Sequence, residues 1–214
     1  AKMWSIRIMH ELKDWQEASF VTLTYDDEHL PKDNSLDKRD LQLFFKRLRE
    51  NLRGHKIKYF ACGEYGEQYG RPHYHIIIFG ISKEKHTSYV EKSWSLGFVM
   101  LGSVTVDSAN YVARYTVKGG LTDEECYKRG IQPQFLVMSR RPGIGSNLAN
   151  CKEYQTWISN NGFCVDKGLK YPIPRYYKSK LAPELLDKLR KKVVDYICFK
   201  TADKIYYHNK NYHK

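Results

Sequence analysis

Cysteine is scarce and follows no pairing pattern. Its five copies (Cys62, Cys126, Cys151, Cys164, Cys198) are odd in number, widely spread and never spaced Cys-x-x-Cys. Neither a disulfide framework nor a zinc ribbon is indicated, and reduced thiols are expected. No apolar run approaches the length needed to cross a bilayer, so no membrane partner is expected. The opening residues, Ala1 to Arg7, lack an apolar signal core, and the expectation is a protein of the cytoplasm. Internal repeats and low-complexity tracts are absent as well. Acidic residues are the minority charge: 24 Asp and Glu face 36 Lys and Arg, a net +12 that favours a polyanionic partner such as nucleic acid. At 42% hydrophobic, the 214 residues can bury a substantial core, which excludes a disordered tail protein.

The pattern along the chain alternates. Trp4, Ile8 and Leu12 recur at helical spacing before a strand at Phe20 to Tyr25. Ser35 or Asp37 can cap a helix with Leu41, Phe44, Phe45, Leu48 and Leu52 on one face and Lys46, Arg47, Arg49 and Arg53 on the other. Two strand-like runs, Ile57 to Cys62 and His73 to Phe79, flank a Gly-rich link and are expected to pair antiparallel. A helix around Lys83 to Trp94, a strand from Phe98 to Val106 and a helix from Ser108 to Lys118 follow. The order β-α-β-β-α-β-α predicts an α+β protein, with four or five antiparallel strands flanked by helices in the split βαβ, ferredoxin-like arrangement. Residues 1–145 are expected to form this core, ending in a strand at Phe135 to Met138 and a turn-rich Arg140 to Gly145. Residues 146–214 are expected to form a helical, basic extension, with helices over Asn147 to Ile158 and Pro183 to Cys198. Residues 163–214 alone hold 13 Lys and Arg against 5 Asp and Glu, +8 of the total.

Chemistry concentrates at His73-Tyr74-His75. On a strand, residues two apart share a face with Cβ atoms about 7 Å apart, so two imidazoles can converge on one metal while Tyr74, Ile76 and Ile78 face the core. An isolated His-x-His is more often a surface pair. Here Glu64 stands nine residues before His73 at the opposite lip of the hairpin, and Glu67 competes for the same role. Two neutral nitrogens and a carboxylate suit Mg²⁺ or Mn²⁺ in a phosphate-ester reaction; ligand type does not exclude zinc. Tyr111, Tyr115 and Lys118 fall at i, i+4 and i+7 and share a helical stripe. Two phenols and a cation on one stripe can serve covalent catalysis, although in a chain with 17 tyrosines amphipathic packing explains such a stripe equally.

Taken in order, Phe20 to Tyr25, Arg71 to Gly80 and Tyr111 to Lys118 resemble the three motifs of HUH-superfamily rolling-circle replication initiators. The resemblance is strongest to those of microviruses, particularly the gokushovirus branch. Met138 to Gly145 and Pro174 to Tyr177 are similar to later microviral segments, so the resemblance covers most of the chain. One departure is a cysteine-bearing segment ahead of the first helix, which does not appear before Ala1. The resemblance implies Glu64, His73 and His75 as ligands of Mn²⁺ or Mg²⁺, Tyr111 and Tyr115 as alternating nucleophiles, and Lys118 as the lysine of the nucleophile motif. It further implies metal-dependent nicking and rejoining of single-stranded DNA at a replication origin, by a monomer in the cytoplasm of an infected bacterium. With no Gly-x-x-x-x-Gly-Lys-Ser/Thr loop in the sequence, unwinding would fall to a host helicase and synthesis to host polymerase. Candidate DNA contacts are Arg71 and Lys58 beside the hairpin, Arg114, Arg47 on the basic helix face, and Tyr176 and Tyr177 as base-stacking rings, with Tyr206, Tyr207 and Tyr212 beyond them. A solvated basic surface and terminal packing are the competing account of those residues.

Overall fold

The structure is a computed structural model that describes residues 2–66, 70–114, 122–192 and 194, without the side chains of Val106 and Arg114. The chain divides into two compact units, Ala1–Gly145 and Ser146–Lys214.

The first unit opens with α1 (Lys2–Leu12) and β1 (Ala18–Tyr25), whose residues are alternately half-buried and buried as a period-two strand requires. Next comes α2 (Lys38–Asn51). Its N-cap, Asp37, accepts hydrogen bonds from the Arg39 and Asp40 amides, and its buried stripe is Leu41, Phe44, Phe45 and Leu48. Then follow β2 (Lys58–Tyr65), β3 (Pro72–Phe79), α3 (Lys83–Ser93), β4 (Gly97–Ser103) and α4 (Val106–Arg114). Gly97 is required where β4 meets the end of β1: at φ 145°, a Cβ would lie 2.3 Å from the Asp26 amide nitrogen. Beyond α4, the capping box of Thr122 and Glu125 starts α5 (Asp123–Arg129), a helix the hydrophobic pattern did not predict. A short β5 (Phe135–Met138) then joins β2.

All strand pairs are antiparallel in the order β4-β1-β3-β2-β5, the expected ferredoxin-like sheet with one added edge strand. β3 is central. Tyr74, Ile76 and Ile78 enter one core with Val21, Leu23, Phe44, Leu48 and Trp94, beneath α2 and α3. Ile77 and Phe79 enter a second with Ile8, Phe60, Cys62 and Val112, beneath α1 and α4. The Tyr74 hydroxyl donates to the Asp37 carbonyl and accepts from the Asp37 amide, both at 2.8 Å, and lies 2.8 Å from the Tyr25 hydroxyl. Burial pushes both phenols above their ordinary range, so they remain protonated hydrogen-bonding groups.

Two expected DNA contacts are corrected. Lys58 stands at the far end of β2 from Glu64, and its ammonium sits 2.8 Å from the buried Glu11 carboxylate. That carboxylate also accepts from the Trp15 indole and the Gly145 amide, so Lys58 is a structural counter-ion. Arg47 turns inward, its Nε donating to the Ser93 carbonyl at 2.8 Å and joining α2 to α3.

In the second unit, α6 (Ser146–Asn150) and α7 (Lys152–Asn161) break at Cys151, where a single helix was expected. The extension is not wholly helical. β6 (Cys164–Asp166) and β7 (Leu169–Tyr171) form a hairpin whose turn residues, Lys167 and Gly168, both have positive φ. α8 (Arg175–Lys178) and a helical stretch over residues 183–192 follow. Tyr177 is fully buried, which corrects its expected role as a stacking platform; Tyr176 is half-buried with Lys180 over its ring. The remaining C-terminal residues, including Tyr206, Tyr207 and Tyr212, lie outside the described residues.

Glu11→Ala, which leaves Lys58 without its carboxylate, is expected to lower unfolding free energy by about 3 kcal/mol in urea denaturation. Lys46→Ala, at the exposed pair with Glu50, should change it by less than about 0.5 kcal/mol.

Candidate active site

Register builds the site. On the α1 and α4 face, Thr24, His73 and Glu64 form one cross-strand row, and Thr22, His75 and Cys62 the next. Each imidazole is held by the threonine opposite: His73 Nδ1 lies 3.1 Å from Thr24 Oγ1, and His75 Nδ1 lies 3.1 Å from Thr22 Oγ1. Both Nδ1 atoms are thereby engaged, leaving the Nε2 atoms as the ligating nitrogens. The two rings are 6.3 Å apart. These threonines were legible as part of a strand motif, but their role depends on a register that spacing alone does not give.

Glu64, 4% exposed, reaches diagonally to His75, with Oε1 2.6 Å from Nε2. The Tyr111 hydroxyl donates to the same oxygen at 3.3 Å. The Tyr111 ring meets His75 edge-on at 5.2 Å, and the Phe20 ring stacks on His75 at 5.6 Å. The structure therefore brings Glu64, His73, His75 and Tyr111 together from β2, β3 and α4. Arg71 stays beside His73 but is engaged, donating at 2.8 Å to both the Tyr25 carbonyl and Asp27. Tyr115, Lys118 and the alternative carboxylate Glu67 lie outside the described residues, as does the Arg114 side chain.

Burial, aided by the neighbouring His75 ring and Arg71 guanidinium, holds His73 below the usual imidazole range, and Glu64 opposes this. The neutral form, which ligates metals, is thus favoured. Cys62, buried opposite His75, is pushed far above the usual thiol range by burial and by Glu64, so it is not a thiolate ligand at neutral pH. Gly66 is a close approach that sequence reasoning missed: a Cβ there would lie 3.0 Å from His73 Nε2.

In donor kind, two imidazoles and a carboxylate fit a hard or borderline divalent cation. Glu64 Oε2 is buried with no hydrogen-bond partner among the described residues, an atom that a cation would satisfy. As placed, Glu64 and His75 are hydrogen-bonded to each other, closer than the roughly 3 Å separating neighbouring ligands of one small cation. Among the described residues, no three His, Cys, Asp or Glu side chains are grouped as a metal site.

A ferredoxin-like sheet presenting paired histidines, a carboxylate and a helix-borne tyrosine defines the class to which the comparisons lead. Residues 18–120 match the family profile of the ORF2-type replication-associated proteins, and the chain belongs to that family. It is similar to replication-associated protein VP4 of Bdellovibrio phage phiMH2K, 35% identical over 203 residues that cover 83% of this chain and 62% of the relative. Replication-associated protein ORF2 of Spiroplasma virus 4 is 34% identical, covering 91% of this chain and 66% of the relative. For replication-associated protein ORF4 of Chlamydia phage 1 the figures are 27%, 96% and 59%. All three are phage replication-associated proteins, and the chain spans about three fifths to two thirds of their lengths. No solved structure matches the chain.

Because His73 titrates below its ordinary value in the folded state, the unfolded state binds its proton first. Stability should therefore fall as pH drops through about 6.5, until folded His73 is itself protonated. His73→Gln is expected to flatten this part of the acid limb in urea midpoints measured from pH 7.5 downward.

Proposed function

We propose that this chain initiates rolling-circle replication as an HUH-type endonuclease. It nicks and rejoins single-stranded DNA at the phage origin through a 5′-phosphotyrosine. The observation that carries the reading is the Tyr111 phenol, 40% exposed, resting on Glu64 and His75 where the histidine strand faces α4. Membership of a phage replication-associated family supports it.

Glu64, His73 and His75 would hold Mn²⁺ or Mg²⁺, which supplies Lewis-acid polarisation of the scissile phosphate. Thr22 and Thr24 orient the two imidazoles through their Nδ1 atoms. The Tyr111 oxygen attacks phosphorus in line, and its phenolic proton, donated to Glu64 Oε1 in this structure, is given up. The bond from phosphorus to the 3′ oxygen breaks, and that oxygen takes up a proton to become a 3′-hydroxyl that can prime a polymerase. No water is consumed, so the phosphodiester energy is kept in the tyrosine ester. Tyr115, one helical turn further by sequence spacing, is the second nucleophile, cutting the regenerated origin; the freed 3′-hydroxyl then displaces the first tyrosine and closes a circle. Lys118 is assigned as the cation that steadies charge during transfer. Arg71 and the exposed basic residues supply phosphate contacts. Host helicase and polymerase are the partners, the protein acts as a monomer, and the reaction takes place in the cytoplasm of the infected bacterium.

The test is denaturing-gel mobility after mixing the protein with single-stranded origin oligonucleotides and Mn²⁺. A shifted band should require metal and His73, and should vanish in the Tyr111→Phe, Tyr115→Phe double variant. Binding without an adduct in the parent protein would leave a DNA-binding module in place of the enzyme. In calorimetric titration, Thr22→Val and Thr24→Val should each weaken Mn²⁺ binding by roughly 10- to 100-fold.

A further inference from the structure

We propose that the outer row of β4, Phe98 and Met100, is a stacking shelf for the unpaired bases beside the scissile phosphate. The proposal rests on the nucleic-acid reading above. Antiparallel register sets Phe98 opposite Thr24 and Met100 opposite Thr22, the residues that hold His73 and His75. Directly opposed side chains share a face, so Phe98 and Met100 stand on the histidine face, two strand spacings, or about 10 Å, from His73 and His75. A nucleotide whose phosphate reaches the histidines can lay its base, or that of its neighbour, over this row.

Three features of the row fit that occupant. Phe98 is 68% and Met100 64% exposed, whereas Val99 and Leu101 alternate into the opposite core. A Cβ at Gly102, next in the row, would find nothing within 4 Å, so the face is open there too. The strand, Gly-Phe-Val-Met-Leu-Gly-Ser, carries no charge, although exposed edge strands are ordinarily protected by charged residues. An aromatic ring and a polarisable thioether on an open sheet surface offer a π-face and a soft contact that accept any base. In a protein of net charge +12, an uncharged row in register with the reacting centre is the place for bases, with phosphates held elsewhere.

That division of labour gives the test a signature that mere electrostatics would lack. Anisotropy of a fluorescein-labelled oligothymidylate about a dozen nucleotides long is measured with EDTA present, across a salt series. Phe98→Ala should weaken binding at least about fivefold, and the double variant with Met100→Ala further, with the slope of log affinity against log salt unchanged. Phe98→Tyr and Tyr127→Ala, the latter an exposed ring on α5, should bind as the parent does. Thermal midpoints of the variants report folding. Parental affinity in the double variant, or a loss seen only as a reduced salt slope, overturns the shelf. So does a parent dimer that the double variant splits with DNA affinity intact, which would assign the row to a second copy of the chain. The adduct assay separates the two proposals: stacking loss without any adduct in the parent removes the nickase and keeps the shelf, whereas an adduct with parental affinity in the double variant does the reverse.

Discussion

β3 runs hydrogen-bonded on both sides, between β1 and β2, and each of its residues must choose a face. Tyr74, Ile76 and Ile78 take the α2 and α3 side, and this sends His73 and His75 to the other. A slip of one residue would bury two imidazoles in a hydrocarbon core and expose three apolar side chains, so the core fixes the site's register. Tyr74 strengthens the constraint. Sitting between the two histidines, it is bonded to both the amide and the carbonyl of Asp37, the residue that also caps α2. The helix start, the central strand and the histidine pair are thus held by one residue's hydrogen bonds.

A net charge of +12 invites every cation to be read as a phosphate contact, and the structure sorts them. Lys58 neutralises a buried carboxylate and Arg47 bridges two helices; removing either would act first on the fold. Glu11 gathers Lys58, Trp15 and the Gly145 amide, while Arg7 donates to the Ile144 carbonyl, so α1 clamps the end of the Arg140 to Gly145 segment. Arg140 and Arg141 nevertheless stay exposed on that anchored loop, and Lys46 on α2 and Arg53 just beyond its end are exposed as well. These are the cations whose charge remains available to a polyanion.

Periodicity made the βαββαβ order, the buried stripe of α2 and the two faces of β3 legible before any coordinates. The placement of Tyr111 over the histidine pair followed from a helix after the fourth strand. What escaped has physical reasons. α5 is signalled by its cap and lacks a long apolar stripe, the β6-β7 hairpin has strands of only three residues, and Cys151 divides a pattern that reads as continuous. Burial of a charged or aromatic residue depends on what folds back over it, so Lys58, Arg47 and Tyr177 could not be told from exposed residues by type. The roles of Thr22, Thr24 and Gly66 arise from register and close approach, which composition does not encode.

The site's exposure gives it a direction. Glu64 and His75 are sealed at their base by the second core, and Phe20 and Tyr111 close on the His75 ring. A reacting phosphate must therefore enter from the side where Tyr111 is open and where the β4 row is uncovered. Desolvation from below makes each electrostatic contact to that phosphate stronger than it would be in water. An open rim keeps room for a chain that must enter, be cut and leave still joined to the protein. A deep pocket would strengthen the first property at the expense of the second. A sheet edge with its ligands near the end of a central strand and an aromatic row alongside accommodates both, because the strand can lie across the surface while only one phosphate descends to the histidines.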